Sequence, residues 1–225
     1  MGGHNAEYDV VLPTNPRYKK EMNLTDHPLD ALVRRYPECG AIRADLDAAL
    51  QLLLAVLARD GTLWLCGNGG SAADCEHWAG ELLKSFAAPR TLPPEDQAKL
   101  PADIAGQLQP GFRAIPMTGF PSFTSAFGND VTGRSAFAQL TWVLGWPGDV
   151  LIAISTSGDS TNILQAAAVA RAKGMQVLGL TGRTGGGLAP LCDCCIRVPR
   201  DVTHEIQELH LPVYHALSLA IEQSV

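Results

Sequence analysis

No stretch of this chain is apolar for long enough to cross a bilayer, although hydrophobic residues make up 46% of it. No basic cluster offers a sequence-independent grip on nucleic acid, since 17 Lys and Arg stand against 23 Asp and Glu for a net charge of −6. No charged, apolar, small-residue leader opens the sequence, so no signal peptide is read and the cytoplasm is the expected compartment. The six cysteines (Cys39, Cys66, Cys75, Cys192, Cys194 and Cys195) accordingly read as reduced thiols and not as a disulfide framework. The run CDCC at 192–195 lacks the paired C-x-x-C spacing of a zinc ribbon and enters a strand-like segment, so it too reads as structural. Internal repeats are missing as well. What remains is a chain of 225 residues, ample for one α/β domain with a substantial core. Membranes and nucleic acids are not expected partners. A small anion is, because hydroxyls and free N–H groups can hold phosphate even on an acidic protein.

Residues 1–27, with Pro13 and Pro16 and little periodicity, read as an extended arm. From Pro28 to Arg59 the spacing is helical, with a break around Pro37–Gly40. The second half, 42–59, is apolar on more than one face, which calls for burial in its own domain or in a subunit interface. Strand-like runs then follow at 62–66, 112–117, 149–155, 175–181 and 194–198, separated by helical patterns at about 71–85, 134–145, 161–173 and 203–223. Short apolar runs alternating with helices predict a parallel sheet covered on both faces. The division expected is an N-terminal arm and helices over 1–59 and a sheet domain over 60–225. Within the latter, 87–111 holds five prolines and delays the second strand, and reads as an inserted surface loop with one short helix around 95–108.

Two strand-to-helix turns have the form of anion sites, at the carboxyl ends of strands where helix N-termini point. The first is Gly67-Asn68-Gly69-Gly70-Ser71, where glycines allow a tight turn and Ser71 is a good N-cap. The second is Ser155-Thr156-Ser157-Gly158-Asp159-Ser160-Thr161, five hydroxyls beside free helical N–H groups. Both are also what ordinary turns and caps look like. Neither is a Walker A loop, since no G-K-[ST] follows, and Ala72 or Ala73 stands where G-x-G-x-x-G needs its third glycine, so nucleotide binding is disfavoured.

The helix leaving the first turn carries His77 and Glu81 at i and i+4, on one face. Imidazole plus carboxylate can bind zinc, and the carboxylate can move a proton. Alone, such a pair is ordinary on a solvated helix.

The segments GNGGSAADCEHWAGEL, GNDVTGRSAFAQ, GDVLIAISTSGDSTNILQAA, VLGLTGRTGGGLAPLCDCCIRVP and IQELHLPVYHALSLAIE occur in this order, covering about 60–83 and 123–223. Together they resemble the sedoheptulose 7-phosphate (phosphoheptose) isomerases of the sugar isomerase, or SIS, superfamily. The resemblance implies a three-layer αβα sandwich with a five-stranded parallel sheet, a homotetramer with sites at subunit interfaces, and one catalytic zinc per subunit. On that pattern His77, Glu81, Gln207 and His215 are the zinc ligands, and Glu81 and His215 the proton-transfer pair. Asn68, Gly69 and Ser71 fall on the sugar-phosphate turn, Asp130 on an acidic substrate contact, and Ser155, Thr156, Ser157 and Ser160 on the phosphate loop, with Gln207 also facing substrate. The implied reaction moves a proton between adjacent carbons through an enediol, turning a ketose 7-phosphate into an aldose; it needs a base, an acid and an electropositive group at the oxygen where charge develops. Other readings are an isomerase for another sugar phosphate, such as an eight-carbon one, and a non-catalytic SIS adaptor or sugar-phosphate sensor. All four candidate ligands being present speaks against an adaptor, and no helix-turn-helix precedes the domain.

Three features depart from the family pattern. The 87–111 insertion is long, His204 stands where some relatives carry an Asp near the substrate, and Pro212 lies inside the last helix, where proline costs about 3 kcal/mol and kinks the axis. Helical arithmetic complicates the choice of histidine. His210 is three residues from Gln207 and shares its face, whereas His215 is about 80° away at ~100° per residue. The resemblance nevertheless selects His215 and leaves His210 structural or lining the neighbouring subunit.

Overall fold

The computed structural model describes residues 27–224; the arm expected over 1–27 lies outside them but for His27. Helix α1 (Pro28–Arg35) starts on His27, whose Nδ1 accepts from the Leu29 N–H, and has Pro28 in its first turn, where no N–H is needed. A 3₁₀ turn at Pro37–Ile42 occupies the expected break, and α2 (Arg43–Leu57) follows.

Five strands form one all-parallel sheet in the order β2-β1-β3-β4-β5: β1 (Leu63–Cys66), β2 (Ala114–Pro116), β3 (Val150–Ile154), β4 (Gln176–Thr181) and β5 (Cys194–Arg197). Helices α3 (Gly70–Leu82), α4 (Pro94–Gln97) and α5 (Ala102–Ala105) lie between β1 and β2. Next come α6 (Pro121–Phe127) and α7 (Ala136–Leu144) before β3, α8 (Thr161–Ala172) after it, and α9 (Thr203–Ser224) after β5. The central strands β1, β3 and β4 are buried on both faces because alternate residues serve two cores, whereas the edge strands β2 and β5 are only partly covered. Leu63, Leu65, Ile152 and Leu178 face α1, α2, α3 and α9, while Trp64, Cys66, Leu151 and Val177 face α7 and α8. A buried carboxylate ties β1 to β3: Asp149 accepts from the Thr62 N–H at 2.9 Å, the Trp64 indole at 3.1 Å and the Trp146 N–H at 3.0 Å.

This order makes β1 and β3 neighbours whose following connections leave in opposite directions along the sheet. A crevice forms beyond the carboxyl ends of strands at such a switch point. Both Gly- and Ser-rich turns open there, directly after β1 and β3.

Several local expectations are refined. Helix α2 covers its apolar face inside the chain, burying Leu46, Leu50, Leu53 and Val56 and exposing Ala44, Ala48, Gln51 and Ala55, so its composition alone does not require a subunit interface. Large exposed apolar side chains lie elsewhere, among them Trp142, Val143 and Trp146 at and just beyond the end of α7, 60%, 59% and 72% exposed. Helical turns also fill 121–135, including a π turn at Gly128–Thr132, where periodicity is silent because none of these residues is buried. Pro212 does not interrupt α9, which runs unbroken from Thr203 to Ser224 with the proline buried; packing against α1, α2 and α3 holds it.

The insertion carries two separate helical turns, α4 and α5, in place of one short helix. Its two feet stand side by side at the end of α3. The Phe112 N–H donates to the Leu82 carbonyl at 2.8 Å, the Ser85 N–H to Gln109 Oε1 at 3.0 Å, and Arg90 lies over the Phe112 ring. The outgoing foot is pinned to α9, since the Glu222 carboxylate accepts from the N–H groups of Phe86, Ala87 and Ala88 at 2.8, 2.8 and 3.2 Å. All six cysteines are free thiols; the sulfurs of Cys192 and Cys195 fill the space beside Gly179, where a Cβ would come within 2.6 and 3.0 Å of them.

Candidate active site

The glycine turn after β1 is tighter than its capping residues suggested. Gly69, at φ +54° and ψ −119°, is the N-cap of α3, and the helix begins at Gly70. Ser71 therefore sits inside the first turn, buried, and not at the cap position predicted for it; a left-handed φ that glycine adopts without cost sets the start earlier. A Cβ at Gly67 would meet the Ser71 backbone at 2.5 Å, so only glycine permits this approach. Asn68 is exposed and exchanges both amide hydrogen bonds with Asn162 at the start of α8, at 2.9 and 2.8 Å. The two anion turns are thus joined across the switch point.

In the second turn, Ser155 is buried and its Oγ donates to Ser160 Oγ at 3.2 Å while accepting from the Gly158 N–H at 3.2 Å. Ser157 is exposed and accepts from the Asp159 N–H, and Ser160 is the N-cap of α8. Gly158, at φ +73°, passes so close to Gly185 that a Cβ would lie 2.1 Å from its carbonyl. The loop is a rigid rim of hydroxyls and helix N–H groups, the form that suits a phosphate.

Two turns along α3, about 10 Å from Gly70 at 1.5 Å rise per residue, His77 and Glu81 meet His215 of α9. Glu81 Oε1 lies 3.1 Å from His77 Nε2 and 3.0 Å from His215 Nε2, and one donor atom from each of the three residues falls within 4.8 Å of the others. Glu81 is 7% exposed, whereas the side chains of His77 and His215 are 51% and 34% exposed. Glu81 Oε2 and His215 Nε2 are buried with no hydrogen-bond partner. A buried carboxylate facing two imidazoles without aligned hydrogen bonds is costly unless a cation joins them. Two nitrogens and one oxygen are a donor set suited to zinc with a position left open.

Behind the donors, Tyr214 Oη lies 2.9 Å from His77 Nδ1 and donates to Asp74 Oδ1 at 3.4 Å. The Tyr214 ring stacks on Trp78 at 5.5 Å and 17°, and Phe86 of the insertion's foot lies 5.6 Å from the His215 ring. Burial pushes the Asp74 carboxyl up, with Tyr214 and His77 working against it, and burial also raises the Tyr214 hydroxyl.

The remaining expected residues lie on α3, the π turn and α9. The Gln207 carboxamide stands over Gly70, where a Cβ would lie 2.5 Å from its Nε2. Asp130 is exposed on the π turn and accepts from Asn129 Nδ2 at 2.9 Å. His204 is exposed on the first turn of α9. His210 is fully buried, and burial pushes its pKa down to about 4. Asp74, Tyr214, Phe86 and Asn162 were not singled out from the sequence. Asp74 was within reach, three residues before His77 on the same helix face; the rest depend on tertiary docking.

The residues 122–182 match the family described as SIS domain. The chain is 42% identical over 185 residues to the phosphoheptose isomerase of Thiobacillus denitrificans, covering 81% of this chain and 84% of that protein. It is 39% identical over 191 residues to that of Rhodospirillum rubrum, covering 85% and 90%. The solved phosphoheptose isomerase of Neisseria gonorrhoeae superposes with a TM-score of 0.69 at 33% identity, over 87% of this chain and 95% of that one. The one from Francisella tularensis gives 0.71 at 30%, over 86% and 94%. Sheet order, switch-point turns and family match define a SIS-fold sugar-phosphate isomerase. Within that class, the chain belongs to the phosphoheptose isomerase family.

Proposed function

We propose that this protein interconverts sedoheptulose 7-phosphate and a heptose 7-phosphate through an enediol, at a zinc site built on His77, Glu81 and His215 with Gln207 as a further ligand. Membership of the phosphoheptose isomerase family gives the reaction class, aldose–ketose isomerisation of a sugar phosphate. The observation that carries the residue assignment is the convergence of two imidazoles and a buried carboxylate two helical turns from a glycine turn. When bound, zinc would polarise the substrate oxygen on which charge develops. Glu81 and His215 then carry the proton between the adjacent carbons and their oxygens, Glu81 being held rigidly by burial. Asn68, Gly69, Ser71, Ser155, Thr156, Ser157 and Ser160 anchor the phosphate end, and Asp130 and Gln207 bind sugar hydroxyls. Binding energy gathered at the phosphate serves to position the reacting end.

Among the described residues no helix is long and apolar enough to cross a membrane. We place the enzyme in the cytoplasm, with a small sugar phosphate as its partner, and as a homotetramer; the exposed Trp142, Val143 and Trp146 supply apolar surface for association.

Incubating the protein with sedoheptulose 7-phosphate and zinc is expected to yield an aldose phosphate, seen as a new anomeric signal by NMR, and chelation should abolish it. No product with zinc present would remove the assignment. Replacing Ser155 and Ser157 together by alanine should raise KM at least tenfold and weaken competition by inorganic phosphate. Equal inhibition of the wild type and the double variant by phosphate would show that this loop holds something else.

A further inference from the structure

Of the groups around the three donors, Tyr214 and Asp74 have no part in the proton transfer, yet they touch the metal site from behind. Tyr214 Oη lies between Asp74 Oδ1 at 3.4 Å and His77 Nδ1 at 2.9 Å, and when its one proton is given to the carboxylate its oxygen faces the imidazole as an acceptor. An acceptor there requires the proton of the neutral imidazole to sit on Nδ1, which leaves the Nε2 lone pair on the side of Glu81 and His215. The phenol is held for this task. It is 1% exposed, stacked on Trp78, and set edge-on to the rings of His77 and His215 at 5.5 and 5.1 Å. All three relay members come from the docked pair α3 and α9, with Asp74, His77 and Glu81 at i, i+3 and i+7 of one helix face.

We infer that Tyr214 and Asp74 are positioning residues that fix the tautomer and ring orientation of His77 for metal binding. This rests on the zinc reading above and deepens it. The half-buried carboxylate sets the direction of the phenol's proton, and the phenol sets that of the imidazole. If the Asp74 acceptor is removed, the freed hydroxyl can turn to donate into Nδ1, which places the imidazole proton on Nε2, where it competes with the metal.

The test is zinc affinity, measured on metal-free full-length protein by competition with a chromophoric chelator, alongside thermal unfolding of the same metal-free samples. Tyr214→Phe keeps the ring and its stacking; its zinc dissociation constant is expected to rise about 10–100-fold, the usual effect of losing an outer-shell partner of a ligating histidine, with the unfolding midpoint little changed. Asp74→Ala is expected to lose affinity even though Tyr214 remains. Because the two act in series, the double variant should be no worse than Tyr214→Phe alone. If Tyr214→Phe binds zinc as tightly as the wild type, the relay is refuted while the metal site stands. Losses that add independently in the double variant would also overturn it. If the wild type itself takes up no zinc, the metal reading fails first and the relay with it.

Discussion

Glu81→Gln is expected to give a folded protein whose kcat on sedoheptulose 7-phosphate is about 10²–10⁴-fold lower than the wild type, the range typical of a lost general acid or base. The substitution is nearly isosteric, and at a position only 7% exposed it removes a charge whose burial is expensive. The metal-free variant should therefore unfold at a temperature no lower than the wild type. The carboxamide cannot take up a substrate proton. It is also a weaker metal ligand than the carboxylate it replaces, so zinc content should fall together with kcat. The phosphate turns are untouched, which predicts a KM within a few-fold of normal. Progress curves followed by NMR, with metal content measured on the same samples, check all three. Turnover within tenfold of the wild type would mean that Glu81 is not the proton carrier.

His215→Ala and His210→Ala should fail in opposite ways. Loss of His215 removes a donor 3.0 Å from Glu81 Oε1, so zinc retention and turnover should both collapse, kcat by at least 10²-fold, with modest effect on the metal-free fold. Loss of the fully buried His210 leaves a cavity, with a cost of about 1–3 kcal/mol, while zinc content stays normal. Acidification separates the two further. The folded pKa of His210 is about 4 against an ordinary value of 6.5. Above pH 6.5 the ring is neutral folded or unfolded, and its full contribution is present. As pH falls from 6.5 towards 4 the unfolded chain takes up a proton that the folded protein refuses, so stability declines, by about 3 kcal/mol over the window. His210→Ala lacks this share of the decline, and its deficit against the wild type should shrink between pH 7 and pH 4 in urea unfolding. A deficit that does not narrow, or zinc lost only from the His210 variant, would reverse the assignment of the two histidines.

These two histidines also show where reading the sequence reached its limit. Strands were legible because each is a short apolar run closed by turn residues, and the central β1, β3 and β4 are buried on both faces almost throughout. The His77/Glu81 pair was legible because one helix fixes its geometry. Arithmetic along α9 favoured His210 on the premise that Gln207 and its partner converge on one point. α9 packs along α3, with Gln207 reaching Gly70 and His215 reaching Glu81, so which histidine meets the site is set by how the two helices dock and not by spacing along α9 alone. That docking is a tertiary fact, and it is also what brings Tyr214 to His77 and Asp74. The early start of α3 depended on one left-handed φ at Gly69, which composition permits but does not announce. The turns over 121–135 bury no residue and so leave no periodic trace.

The adjoining feet of the excursion between α3 and β2 bear on how the family can vary. Since Phe112 bonds Leu82 and Ser85 bonds Gln109, the chain enters and leaves at one point, and Glu222 clamps the entry where Phe86 meets His215. The closure is made at the base, so lengthening the lobe beyond it adds only about 0.6 kcal/mol per doubling. The base behaves as a socket: lobes of different length and composition can be exchanged in it during evolution or by design, while the wall it presents to the histidine stays the same.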